Sequence, residues 1–107
     1  MNTALAQLVE RELELVEIQS VQVTEDGLAV DLRDGRTIIT PLLWYPRLAY
    51  ATPAERQHYE IRRNAIHWPD LDEDISVRGM LLGRKSGESA ASLQKWLEQR
   101  KGVPVVR

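Results

Sequence analysis

The chain has 107 residues, enough for one hydrophobic core and too few for two. Its 43% hydrophobic and 28% charged residues exclude a disordered chain, and the absence of cysteine excludes disulfides and thiolate chemistry. A formal net charge of −2 gives no global pull on nucleic acid or an anionic membrane.

In chain order, Leu5, Leu8, Val9, Leu13 and Val16 recur at spacings of three and four after Thr3. That periodicity predicts a capped first helix over about residues 1–15, with the switch to a following strand left open from Leu13 onward. Glu10, Arg11, Glu12, Glu14 and Glu17 break any apolar signal-peptide core, and no stretch has the ~18 apolar residues of a membrane helix. A cytoplasmic, non-membrane protein is expected.

Val21 and Val23, then Leu28, Val30 and Leu32, alternate with polar or small residues around Asp26-Gly27. Asp34-Gly35 follows, and Arg36–Thr40 runs on to Pro41. Asp-Gly between alternating runs predicts hairpins, because glycine tolerates the positive φ of a tight turn. Two such turns predict a three-stranded antiparallel meander. Thr52-Pro53-Ala54-Glu55 then has the form of a capping box with proline at the first helical position, and it predicts a helix to about Arg63. Short strands are expected at Ile66–Trp68 and Ile75–Val77. A last helix is expected after Ser89, with Leu93, Trp96 and Leu97 on one face and Gly102 just past its end. These elements predict one α+β domain in two layers. The meander joins the Ile66 and Ile75 strands in one antiparallel sheet, the Pro53 helix packs on it, and further helices stand at both ends.

The segments PLLWYPRL (41–48), ATPAER (51–56) and IHWPDLDEDISVRGML (66–81), with the meander before them and RKSGES (84–89) after, resemble the bacterial domain-of-unknown-function family 2442. The likeness covers roughly residues 16–83 and leaves 84–107 as a C-terminal loop, helix and tail. The resemblance implies a short stand-alone protein of no established activity. It also implies kinship with domains that precede a helix-turn-helix, and with others encoded beside a small partner in a pair like a toxin–antitoxin module. Here only one helix follows Gly83, fewer than a DNA-reading unit needs.

Asp70, Asp72 and Asp74 alternate as in the opening of a calcium loop. The sixth and twelfth positions are Ile75 and Leu81 where glycine and glutamate are required, so no metal and no cofactor is expected. His67 beside these carboxylates has no nucleophile motif with it, so no catalytic residue is assigned and an enzyme is not expected. Residues 83–89 lack the spacing of a phosphate-binding loop. Trp44, Tyr45, Arg47 and Trp68 lie beside prolines and outside any periodic pattern. Such residues are enriched at binding hot spots, although tryptophans there can equally seal the open side of a sheet.

The function expected from these features is a protein-interaction module, antitoxin-like or adaptor, that grips a partner protein such as a neighbouring-gene toxin. Its surface is expected at Trp44, Tyr45, Arg47, His67, Trp68, Asp72, Glu73 and Asp74, the acidic part suiting a basic partner. The alternative is a nucleic-acid-associated or transcriptional regulatory domain. A homodimer through Leu5, Leu8, Val9, Leu93, Trp96 and Leu97 is also expected. Its counterpart is that both terminal helices fold back on the sheet.

Overall fold

The computed structural model describes residues 3–14 and 16–100. It is an α+β structure of two three-stranded antiparallel sheets and five helices. Helix α1 (Thr3–Glu14) is followed by strands β1 (Ile18–Val23), β2 (Gly27–Leu32) and β3 (Thr37–Pro41), in the spatial order β1-β2-β3. Val21 faces Val30, Val23 faces Leu28, and Val30 faces Ile38. This is the register the apolar alternation requires, because a slip of one residue would turn Leu28, Val30 and Leu32 to solvent.

The two glycines of the meander serve different ends. Gly35 has φ of 96° and supplies the left-handed conformation of its turn. Gly27 does not, because the first turn is built by Thr24, whose Oγ1 accepts from the Asp26 and Gly27 N–H groups. Gly27 is needed for close approach: a Cβ there would stand 3.1 Å from the Thr40 carbonyl oxygen.

A turn of 3-10 helix (Leu42–Trp44) and the short helix α2 (Pro46–Ala49) lead to α3 (Pro53–Gln57). The capping box is formed: Glu55 N–H donates to Thr52 Oγ1 at 3.1 Å, and Thr52 N–H donates to Glu55 Oε1 at 2.9 Å. Thr52→Ala should therefore lower stability by about 1 kcal/mol in urea unfolding. A neutral result would mean that the box does not hold this helix start.

Helix α3 ends at Gln57, six residues before the expected Arg63. Residues 60–62 instead form strand β4 (Glu60–Arg62), which pairs with β5 (Ala65–Trp68), and β5 pairs with β6 (Glu73–Ser76). The reason is Trp68. Its indole N–H donates to the Arg56 carbonyl in the last turn of α3, and its ring meets Tyr59 at 6.1 Å. Those contacts favour a strand over helix propensity at Tyr59 and Ile61. The second sheet is thus separate from the meander and not an extension of it. The two are tied where Ile18 N–H donates to the Arg63 carbonyl and Tyr59 Oη donates to the Val21 carbonyl.

One core lies between them. Val23, Leu28, Val30 and Leu32 from the meander meet Ile66, Trp68 and Ile75 from the second sheet. Leu42, Tyr45 and Leu48 close it from the connector, and Val77 and Met80 close it from α4 (Val77–Leu81). Helix α1 contacts α4 but leaves Leu5, Leu8 and Val9 more than half exposed. Helix α5 (Ala90–Gln99) is capped by Ser89, whose Oγ accepts from Ser92 N–H, and Trp96 packs against the core. Gly102 and the valines beyond it lie outside the described residues.

Candidate functional site

Helix α2 places Arg47 where α5 approaches. The guanidinium grips Glu88 with Nε at 3.0 Å from both carboxylate oxygens and Nη2 at 2.7 Å from Oε2, while Nη1 donates to the Leu71 carbonyl at 3.0 Å. At the other end of α5, Arg100 donates from Nη1 and Nη2 to the two oxygens of Glu55 at 3.0 and 2.6 Å. Between these pairs, Trp96 lies within 5.2 Å of the Arg47 guanidinium and 4.4 Å of the Arg100 guanidinium, so its ring is bracketed by two cations. Both pairs are bidentate and mostly shielded from water, with every side chain under 20% exposed. Hydrogen bonding from Arg100 holds the Glu55 carboxyl down at about 2, and the Arg47 hydrogen bond lowers Glu88.

Next to this clamp is a cavity of about 150 Å³ lined by Tyr45, Glu73, Asp74, Ser76, Lys85 and Ser86 among others. Burial pushes the Glu73 carboxyl up to about 7, against the opposing pull of Arg47, and the charges of Glu88, Asp74 and Asp72 push the same way as burial. It exchanges its proton near neutral pH. His67 Nδ1 stands 2.7 Å from Asp74 Oδ1, and His58 Nδ1 stands 2.7 Å from Asp70 Oδ2, a hydrogen bond that raises the His58 pKa. Ser76 Oγ is engaged as the cap of α4, accepting from Gly79 N–H. Among the described residues, no three His, Asp or Glu side chains converge to hold a metal ion.

The residues expected to form one surface are divided. Trp68 and Tyr45 are core residues, at 0% and 3% exposure, so neither offers a contact face. The tryptophan is buried to join the two sheets, and Tyr45 donates its hydroxyl proton inward to Thr40. Arg47 is committed to Glu88 beneath α5. Trp44 is half-buried under the Lys85 ammonium at 5.7 Å. Asp72 and Asp74 are exposed, the former at a positive φ of 49° in the β5–β6 turn, and Glu73 faces the cavity. Of the expected dimer contacts, Trp96 packs on its own chain and Leu93 and Leu97 are half-buried, while those of α1 stay open. Nothing local in the sequence links Glu55 with Arg100 beyond the place of both at helix ends.

A second concave feature lies on the outer face of the meander. Gln22, Ala29, Gly27, Ile39 and Pro41, with Asp26 at the rim, line a groove of about 440 Å³. Ile39 is 71% exposed there, and Leu43 just beyond β3 is 82% exposed.

Residues 18–86 match the family described as protein of unknown function (DUF2442). The chain belongs to this family. Comparison with curated proteins finds no match. Two solved structures share the DUF2442 chain's fold. One is the crystal structure of a protein of unknown function from Rhodospirillum rubrum, with 23% identity and a TM-score of 0.59, covering 73% of this chain and 96% of that one. The other is the solution structure of an uncharacterised protein from Chromobacterium violaceum, with 24% identity and a TM-score of 0.60, covering 95% of this chain and 92% of that one. Among the described residues, no helix is long and apolar enough to cross a membrane.

Proposed function

We propose that this DUF2442 chain is a protein-interaction module, antitoxin-like or adaptor, which binds a partner protein on the outer face of its meander. The observation that carries this reading is the groove floored by Gly27 and Ala29 and walled by the exposed Ile39. A concave site with an exposed apolar wall of this kind marks interaction sites on small domains. Asp26 at the rim and the exposed Asp31 on the same strand as Ala29 give the face a negative border. The partner segment is therefore one that lowers an aliphatic side chain into the groove and sets basic side chains against these carboxylates.

The nucleic-acid alternative draws less support, because Arg62, Arg63 and Arg100 are each spent on a glutamate of the same chain. A cytoplasmic setting suits a cysteine-free chain. The test is affinity capture from the native cell extract with the wild-type chain and with Ile39→Asp, a substitution at an exposed position. A protein retained by the first and lost from the second is expected. Identical capture by both, or by neither, would overturn the reading.

A further inference from the structure

The outer face of the meander is a trough with a fixed order of groups. Strand β2 supplies its floor, and the register sets Gln22 and Ile39 on either side of Ala29, and Pro41 beside Gly27. Glycine and alanine keep the floor low while Ile39 stands exposed above it. A carboxylate stands at each end. Asp26 is at the rim beside Gly27. Asp31, two residues beyond Ala29 and so on the same face, accepts from the hydroxyls of Ser20 and Thr37. From Asp26 to Asp31, about 17 Å along an extended strand, the face runs acid, small, small, acid.

Residues 101–107 (KGVPVVR) lie outside the described residues, and their sequence complements that order. In an extended segment alternate side chains share one side, so Lys101, Val103, Val105 and Arg107 would face the same way: base, aliphatic, aliphatic, base. Lys101 and Arg107 would then stand about 20 Å apart, close to the span between the two aspartates. Pro104 falls on the opposite side, and its fixed φ suits an extended segment that lies on a face without joining the ladder. The segment also leaves the fold at the right end of the trough. Arg100, the last described residue, is held on Glu55 of α3 at 2.6 Å. Two residues on, Gln57 Nε2 donates to the Val23 carbonyl at 3.3 Å. Val23 lies between Gln22 and Thr24, which both line the trough, and Thr24 Oγ1 accepts from the Asp26 N–H. Seven residues reach about 24 Å when extended.

We propose that residues 101–107 of the same chain lie along this trough, with Lys101 against Asp26, Val103 and Val105 over Gly27 and Ala29 beside Ile39, and Arg107 against Asp31. Opposite charges meet at both ends, and the valines and Ile39 remove each other from water between them. The segment has the chemistry argued above for a partner, aliphatic side chains flanked by basic ones, so it is an internal competitor for the same site. A partner reaches the trough only in chains whose segment is displaced, and its apparent affinity is reduced by that fraction. This consequence rests on the partner reading, whereas the docking itself does not.

Methyl NMR on the full chain tests it. In the wild type, nuclear Overhauser contacts are expected from the Val103 and Val105 methyls to those of Ala29 and Ile39, unchanged on dilution. Val105→Asp sets a carboxylate between the two aspartates. It should abolish these contacts and shift the Ala29 and Ile39 methyl signals, with those of the core residues Leu28 and Val30 unmoved. Absence of the contacts in the wild type, or Ile39 signals identical in the two proteins, overturns the proposal. Isotope-filtered contacts of these valines in a mixture of labelled and unlabelled chains would show that a second copy supplies the segment, and would overturn closure within one chain. Capture of a partner protein is a separate measurement. It should rise severalfold for Val105→Asp, and equal capture by both proteins overturns the competition. Capture by neither, with the methyl contacts present, counts against the partner reading and leaves the docking standing.

Discussion

Trp68→Ala should remove most of the stability of the fold. The side chain is fully buried between the sheets, and truncating a buried tryptophan costs about 3–5 kcal/mol through lost transfer energy and the cavity left behind. The same change leaves the Arg56 carbonyl without the indole N–H that it accepts at 3.0 Å. Domains of this size are stable by only about 5–15 kcal/mol, so the variant should show a sharply lower urea midpoint or an unfolded baseline in water. Trp68→Phe separates the two effects. It keeps most of the apolar volume and loses the hydrogen bond, so it should cost about 1–3 kcal/mol. A loss below ~1 kcal/mol for Trp68→Ala would show that Trp68 is not the joint between the sheets.

Trp68 also shows where the sequence is legible and where it is not. The meander is readable because its signals are local: alternation at Val21–Leu32 and the turn signals at Asp26-Gly27 and Asp34-Gly35 mark strands and faces within twenty residues, although at the first turn Thr24, and not a positive φ at Gly27, makes the bend. The Thr52–Glu55 box and the Ser89 cap are readable for the same reason, since each is complete within four residues. The second sheet is not. Strand β4 is three residues long, all of them exposed, and carries Glu60 and Arg62 around Ile61, a composition equally at home on a helix. Only its pairing with Ala65–Trp68 decides the matter.

Trp68 next to Pro69 breaks periodicity and so resembles an exposed anchor, although its burial is dictated by Arg56 and Tyr59, about ten residues upstream. Arg47 was identifiable as a residue with unusual recognition capacity. Its partner Glu88 lies 41 residues away, and no local pattern links an arginine to a glutamate at that range. The Glu55–Arg100 pair, 45 residues apart, is hidden in the same way.

Glu73→Gln should change the pH dependence of stability. In the fold the Glu73 carboxyl titrates at about 7, mainly because it is buried, against an ordinary value of 4.5. A raised folded pKa means that the folded chain holds this proton more tightly than the unfolded chain does. The associated stability is complete below pH 4.5 and is lost as pH rises through 7. The full shift corresponds to roughly 3 kcal/mol, and the carboxyl's partial access to solvent reduces that to on the order of 1–2 kcal/mol.

His58 adds to the loss in the same direction, since its pKa is raised by the hydrogen bond to Asp70. Glu55 acts oppositely. Its carboxyl is held at about 2 by Arg100, so its contribution is present above pH 4.5 and is lost as pH falls towards 2. The wild-type chain should therefore be most stable near pH 5 and weaken on both sides. Glu73→Gln keeps a neutral side chain facing Tyr45, Lys85 and Ser86 at every pH. Its stability should fall less than that of the wild type between pH 5 and 8, with the acid limb unchanged. Urea midpoints measured across pH 3–9 for both proteins check this. Parallel curves above pH 5 would show that Glu73 is ionised in the fold at neutral pH and that the cavity does not shield it.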